Sequence, residues 1–193
     1  MNNKLNKLIN KTRGKLISEK ILYKGNYINV IEEDQLLPNG KLIKREKIIK
    51  NKGKNSVIII AITRDNRFIL VCQNRINSLT TLEFPSGYIE DKENVIDASK
   101  RELLEEIGYA SNKIEIIDNY INSISIDGSS ITIVVAYNCK KASPQHLGSS
   151  EYINYLEFSF DEVKCLIESD CISSGGNRLA FYKYLYMKTT KML

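Results

Sequence analysis

The sequence holds a single histidine, four cysteines with no CxxC pair among them, and no apolar run longer than the six residues Val57 to Ile62. Each scarcity excludes a class of protein. One imidazole cannot build a zinc site of several histidines, and a Ser-His-Asp triad would rest on His146 alone. That residue lies in the turn-rich stretch Ser143 to Ser150, where a solvated loop histidine is expected. Cys72, Cys139, Cys165 and Cys171 read as reduced thiols engaged mostly in packing. Six apolar residues fall far short of the roughly 20 that span a bilayer, and the N-terminal MNNKLNKLINKTRGK lacks the apolar centre of a secretion signal. The expectation is a cytoplasmic protein with no membrane partner. No internal repeat or low-complexity tract appears.

What is present fits a folded enzyme-sized chain. Its 193 residues, 42% hydrophobic and 26% charged, bury a substantial core and leave room for one main domain with a small appendage. A net charge of +5 is compatible with anionic ligands, but the basic residues are spread along the chain and identify no partner. Residues 1–52 read as the appendage: a short basic helix to about residue 11, then a small antiparallel meander with strands near 16–23, 27–33 and 41–49, the last following a Pro38-Asn39-Gly40 turn. Residues 53–193 read as the main domain. Strands are expected at 56–64 and 68–73, a helix at 94–107 closed by Gly108, strands near 113–123, 131–138 and 152–158, and helices near 161–168 and 176–188. The implied class is α/β of the α+β kind, a mixed β-sheet sandwiched between helices.

The chemistry concentrates between Gly87 and Tyr109, in GYIEDKENVIDASKRELLEEIGY. At about 100° per residue, Glu102, Glu105 and Glu106 share one sector of the expected helix, with Ile96, Leu103, Leu104 and Ile107 roughly opposite. Clustered carboxylates repel, so they are either a solvated acidic face or the ligands of a cation. Oxygen-only donors with no nearby His or Cys favour a hard ion, Mg²⁺ or Mn²⁺.

The spacing around these glutamates decides between the two. Gly87, Glu93, Arg101, Glu102, Glu105, Glu106 and Gly108 stand where the pattern Gly-x5-Glu-x7-Arg-Glu-U-x-Glu-Glu-x-Gly-U requires them, U being a bulky aliphatic residue. The segment resembles the Nudix box. Leu103 fills the first U position, and Tyr109 replaces the aliphatic residue at the last. The resemblance implies divalent-cation-dependent hydrolysis of a nucleoside diphosphate linked to another moiety. It also implies roles. Glu102 and Glu106 are the main metal ligands, Glu105 a further ligand or bridging carboxylate, and the carbonyl of Ser86 a backbone ligand. Arg101 and Glu93 fix the loop against the helix, and Gly87 is expected to take a torsion closed to other residues.

The flanks are similar to the ADP-ribose pyrophosphatase branch of that family. Glu83-Phe84-Pro85-Ser86-Gly87-Tyr88-Ile89-Glu90 resembles its Glu-x-Pro-Ala-Gly-x-x-Glu, and Cys72-Gln73-Asn74-Arg75 its Gln-x-Arg, whose arginine contacts substrate phosphate. Arg45-Glu46-Lys47-Ile48-Ile49 resembles a segment ahead of the core. Arg75, Glu83 and Arg45 are therefore the candidate substrate-binding residues. The resemblance implies a homodimer built through the N-terminal meander and a catalytic base on a late acidic loop. Glu151 is the first choice for that base, Glu157 the reserve, and Glu105 or Glu106 of the box the alternative. Ser123-Ile124-Ser125 departs from the Ser-Pro-Gly usual in this branch. The expected reaction is Mg²⁺-dependent cleavage of ADP-ribose to AMP and ribose 5-phosphate. The alternatives are a nucleotide-sugar diphosphatase acting on a GDP-mannose-like substrate and, from another class, a non-catalytic nucleotide sensor. Nothing in the sequence signals nucleic-acid binding.

Overall fold

Alternation of apolar residues with polar ones, broken by Gly, Asn and Pro, writes strands into this chain. The computed structural model describes residues 3–190 and places them in two compact units. The first comprises the described residues up to Lys54 together with Ile121–Ser129; the second runs over Asn55–Tyr120 and from Ser130 onward. The sequence reading left residues 121–129 in the main domain. They join the first unit because the Ile48 N–H donates to the Ile126 carbonyl at 2.8 Å and Lys50 pairs with Asp127 at 2.7 Å.

The first unit begins with helix α1 (Asn3–Thr12) and continues through strands β1 (Lys15–Lys24), β2 (Ile28–Leu36) and β3 (Leu42–Lys50). They form a three-stranded antiparallel sheet in the order β1-β2-β3, with β1 bulged against β2 at two points. Asn39 and Gly40, the latter at φ 82°, make the turn into β3. Ile31 is the one buried hydrophobic residue among the described residues up to Lys54.

The second unit is built on an eight-stranded mixed sheet. Its strands are β4 (Ser56–Thr63), β5 (Phe68–Asn74), β6 (Thr80–Glu83), β7 (Ser86–Tyr88), β8 (Tyr109–Ala110), β9 (Lys113–Ser123), β10 (Asp127–Lys141) and β11 (Ile153–Phe158), β9 and β10 reaching into the first unit at their joining turn. The order is β11-β5-β4-β10-β8, with β6 on β5, β7 on β4 and β9 on β10. β4 and β10 run parallel, Ile58 opposite Ile133 and Ala61 opposite Ala136; the other pairs with given registers are antiparallel.

Because β4 is apolar at every position from Val57 to Ile62, it is buried on both faces. Val57, Ile59 and Ala61 face Ala98, Leu103 and Ile107 of the helical segment α2 (Val95–Glu102), which continues as a π-helical turn through Leu103–Ile107. Ile58, Ile60 and Ile62 pack with Val163 and Ile167 of α3 (Phe160–Glu168) and Ala180 and Phe181 of α4 (Gly175–Thr189). The sheet is thus covered by helices on both sides. β6, β7 and β8 are too short to register as periodicity, and only their ladders reveal them. All four cysteines are unpaired; Cys139 is buried, but Cys165 and Cys171 are exposed, against the expectation that most of them pack. Among the described residues no helix is long and apolar enough to cross a membrane.

Candidate active site

The site forms where β7 and the loop before it meet the helix running from Val95 to Ile107. Asn94 caps the helix by accepting the Asp97 N–H at 3.0 Å, and Gly108, at φ 68°, ends it in the left-handed conformation. The carboxylates sit beside the buried stripe, not opposite it. Glu102 is only about 40° from Ala98 and about 60° from Ser99 around the α-helical axis, so a helix that buries those two draws Glu102 inward, and Glu106 follows in the turn that buries Leu103 and Ile107. Glu106 is 5% exposed and Glu102 8%. Leu104, at the margin of the stripe, is instead 37% exposed, and Ile96 is half-buried, which corrects the expected apolar face. The π turn, a rare form frequent at functional sites, covers Glu105 and Glu106.

Arg101 organises the acidic side. Its Nε and Nη2 donate to the two oxygens of Glu93 at 3.0 and 2.9 Å, and Nη2 also reaches the Tyr88 carbonyl at 2.8 Å. Nη1 donates to Glu102 at 2.6 Å and Glu105 at 2.9 Å. The Glu93 carboxylate, with Glu102 and Glu105, holds the guanidinium above its ordinary pKa. One side chain thereby ties the 88–93 loop to the helix. Burial lifts the Glu102 carboxyl to about 7, with Glu105 and Glu151 adding to the push against Arg101. Burial likewise lifts Glu106 to about 8, with Glu102 and Glu151 adding, although the Ser86 N–H, donating at 2.9 Å, and the charge of Arg75 oppose it.

Gly87 carries a different meaning from the one its sequence position suggests. Its φ is not in the left-handed range, where Gly40, Gly53 and Gly108 are found. A Cβ built there would fall on the Glu102 carboxylate. Glycine here leaves room for the carboxylate lying against the backbone, and no torsion demands it. Gly87→Ala is accordingly expected to displace Glu102 and lower turnover on the order of 10²-fold, as misplacement of a reacting group by about 1 Å does. Steady-state kinetics on the folded variant checks this, and turnover within threefold of the parent would refute it.

Arg75 and Glu83, both expected to meet substrate, first meet each other. The guanidinium binds Glu83 through Nε at 3.1 Å and Nη2 at 2.5 Å, and Thr81 donates to the same carboxylate at 2.6 Å. Glu83 is buried while Arg75 keeps an exposed flank, and Arg75 is close enough to bear on Glu106. Arg45 is exposed on β3 in the first unit.

Glu151 reaches the box through a loop that the helix itself holds. Gln145 Nε2 donates to the Glu106 carbonyl at 2.5 Å and the Ile153 carbonyl at 3.0 Å, the His146 N–H to the Glu105 carbonyl at 2.9 Å, and Lys141 Nζ to the Ile107 carbonyl at 2.8 Å. These donors satisfy the carbonyls that the helix end leaves open. The same loop then turns at Gly148, whose N–H donates to the Glu151 carboxylate at 2.8 Å, and Glu151 adds its charge to Glu102 and Glu106. His146 is exposed, as expected. Glu157 is engaged elsewhere, accepting from the Tyr109 hydroxyl at 2.8 Å; Tyr109 itself packs edge-on against Tyr155, a use for the aromatic ring at the last U position.

Two residues of the site have no place in the motif. Asn177, on α4, accepts the Phe84 N–H at 2.7 Å and so pins the segment between Glu83 and Ser86. A signal existed: Asn177 shares the 3–4 spacing of the buried residues Ala180, Phe181 and Tyr184. Gln145 is the other, and a lone loop glutamine carries no such pattern.

The donor set fits a hard divalent cation. Glu102 and Glu106 are buried beside each other with Glu151 adding negative charge, and all their donor atoms are oxygen. Among the described residues no three acidic, His or Cys side chains close a cage by themselves. Mg²⁺ does not ask for one, since it binds through one or two carboxylates and completes its shell with water and substrate phosphate.

Known proteins resemble this chain along most of its length. The family model described as the NUDIX domain matches residues 53–171. An ADP-ribose pyrophosphatase of Bacillus subtilis (strain 168) is 29% identical over 176 residues, covering 90% of this chain and 93% of that protein. A methanol dehydrogenase activator of Bacillus methanolicus is 31% identical over 182 residues, covering 91% and 96%. The crystal structure of an ADP compounds hydrolase superposes with a TM-score of 0.81 at 22% identity, covering 94% of this chain and 97% of that one, a likeness of fold.

Proposed function

The chain belongs to the Nudix family of hydrolases, and from that premise we propose that it cleaves ADP-ribose to AMP and ribose 5-phosphate with Mg²⁺ or Mn²⁺. The observation that carries the reading is the buried pair Glu102 and Glu106 beneath Gly87, with the charges of Glu151 and Arg75 both bearing on Glu106. The similarity to an ADP-ribose pyrophosphatase along nine-tenths of the chain supports the substrate.

Glu102 and Glu106, with the Ser86 carbonyl, are the residues that would hold the cation, and Glu105 stands beside them. A divalent ion bound there would neutralise the diphosphate and lower the pKa of a water. Arg75 supplies a further positive charge to the diphosphate from its exposed flank, and Glu83 fixes the direction of that guanidinium. Water attacks one phosphorus, its oxygen forming the new P–O bond as the bridging P–O bond breaks. Glu151 accepts the proton of that water. Glu105 is the weaker choice for base because its carboxylate is committed to Arg101. Arg101 and Glu93 take no part in proton transfer and hold the loop to the helix. Arg45 is carried as a substrate contact by its resemblance alone. The intact set of box glutamates speaks against a sensor without activity. A second copy of the chain is proposed to cover the apolar faces of the first unit, making a homodimer.

Substrate identity is tested by steady-state comparison of ADP-ribose with GDP-mannose and other nucleotide sugars. ADP-ribose is expected to give the highest kcat/KM. A competitor tenfold better, about 1.4 kcal/mol in transition-state binding, would replace it. Ile124 is the place to look for such a change, since it stands exposed at the β9–β10 turn in the position where proline is usual.

A further inference from the structure

β4 and β10, the parallel pair at the centre of the sheet, finish together, with Thr63 opposite Cys139. Just before that point the register shifts between Ala136 and Cys139, and Asn138 adopts φ 53°. A bulge of this kind ends regular pairing and re-aims the side chains around it. A pocket of about 220 Å³ opens there, lined by Arg64 beyond β4, Asn112 just ahead of β9, Lys113 at its start, and Tyr137, Asn138 and Lys140 of β10.

The three cations come from three separate segments. Lys113 pairs with Glu115 at 3.2 Å and lies 4.6 Å over the Tyr137 ring. Neither Arg64 nor Lys140 makes an ion pair with any described residue, so the pocket keeps positive charge that Glu115 does not cancel. Its Arg64 side is well removed from the carboxylates, although Ala110 on another wall follows Glu106 by only four residues. Ser86 pairs with Ile58, and Arg64 lies six residues further along the chain, about 20 Å at strand rise.

We propose that this pocket is a second anion site, taking a phosphate group, free or carried as a small monoester. Arginine offers a planar fork matched to phosphate oxygens, lysine a point charge, and the two asparagines neutral donors beside them. The carboxyl ends of parallel strands are where open sheets commonly receive ligands. At about 220 Å³ the space lies below the usual range for drug-sized ligands, which selects a phosphate with a small attachment over a dinucleotide.

The test is a titration of the full-length, metal-free protein with inorganic phosphate, AMP and ribose 5-phosphate at constant ionic strength, followed by backbone amide shifts. Saturable shifts are expected at Asn112, Asn138 and Lys140. Equal affinity for all three probes shows that the pocket reads phosphate alone, and tighter binding of a monoester shows that it reads the attachment too; either supports the site. Arg64→Ala combined with Lys140→Ala changes two exposed side chains, and it is expected to weaken binding at least tenfold while leaving Mg²⁺-dependent turnover within twofold and the melting temperature unchanged. Shifts confined to the neighbourhood of Arg75 and Glu106, shifts that do not saturate, or undiminished binding by the double variant would each overturn the proposal.

Discussion

Glu106→Gln is expected to lower turnover about 10³-fold, equivalent to about 4 kcal/mol, the scale on which a cation stabilises charge developing at a phosphoryl group. The same replacement should not lower the melting temperature in metal-free buffer. Glu106 is nearly fully buried against Glu102 and burial lifts its carboxyl to about 8, so without metal at neutral pH an amide replaces a largely uncharged group, and its oxygen can still accept the Ser86 N–H. Glu102→Gln follows the same logic with one partner more at stake, because Arg101 loses a charged acceptor but keeps both oxygens of Glu93. Two measurements separate the site from the scaffold. Thermal melts with and without Mg²⁺ should show a stabilising shift for the parent and none for Glu106→Gln, while kinetics shows the loss of turnover. A folded Glu106→Gln enzyme with undiminished activity would remove these carboxylates from the mechanism.

The parent protein is expected to sediment at twice the mass of one chain at micromolar concentration, and Ile21→Glu to shift it toward the single chain. Every residue of β1 is exposed, and its apolar side chains Leu16, Ile17, Ile21, Leu22 and Tyr23 are each at least 45% exposed. Leu5, Leu8 and Ile9 on α1 are uncovered as well. Three strands with one buried hydrophobic residue do not make a core, and an open apolar edge strand invites pairing. An unpaired carboxylate placed within such an interface costs about 3–5 kcal/mol, so dissociation should strengthen by at least about 10²-fold. Circular dichroism confirms that the variant remains folded. A parent that sediments as a single chain would refute the proposed assembly.

How much was legible before the fold depended on whether the information was local. The strands at 56–64 and 113–123 and the helix end at Gly108 follow from patterns a few residues long; the structure places β9 and the left-handed cap there and ends β4 one residue early, at Thr63. The glutamates of the site were equally readable, since an i, i+3, i+4 spacing determines their mutual placement on a helix. Their burial was not, because it depends on how the helix rolls onto the sheet.

By itself, then, the sequence determined the class of fold, the family and which charged residues are candidates for the site, because periodicity and motif spacing are properties of neighbouring positions. Only the tertiary structure decided that Gly87 makes room for Glu102, that Arg75 is held by Glu83, that Asn177 pins the segment before Ser86, and that Gln145 ties the Glu151 loop to the end of the helix. Each of those contacts joins residues that the chain separates by 8 to 93 positions. No local pattern encodes them; they arise when the sheet and its helices pack.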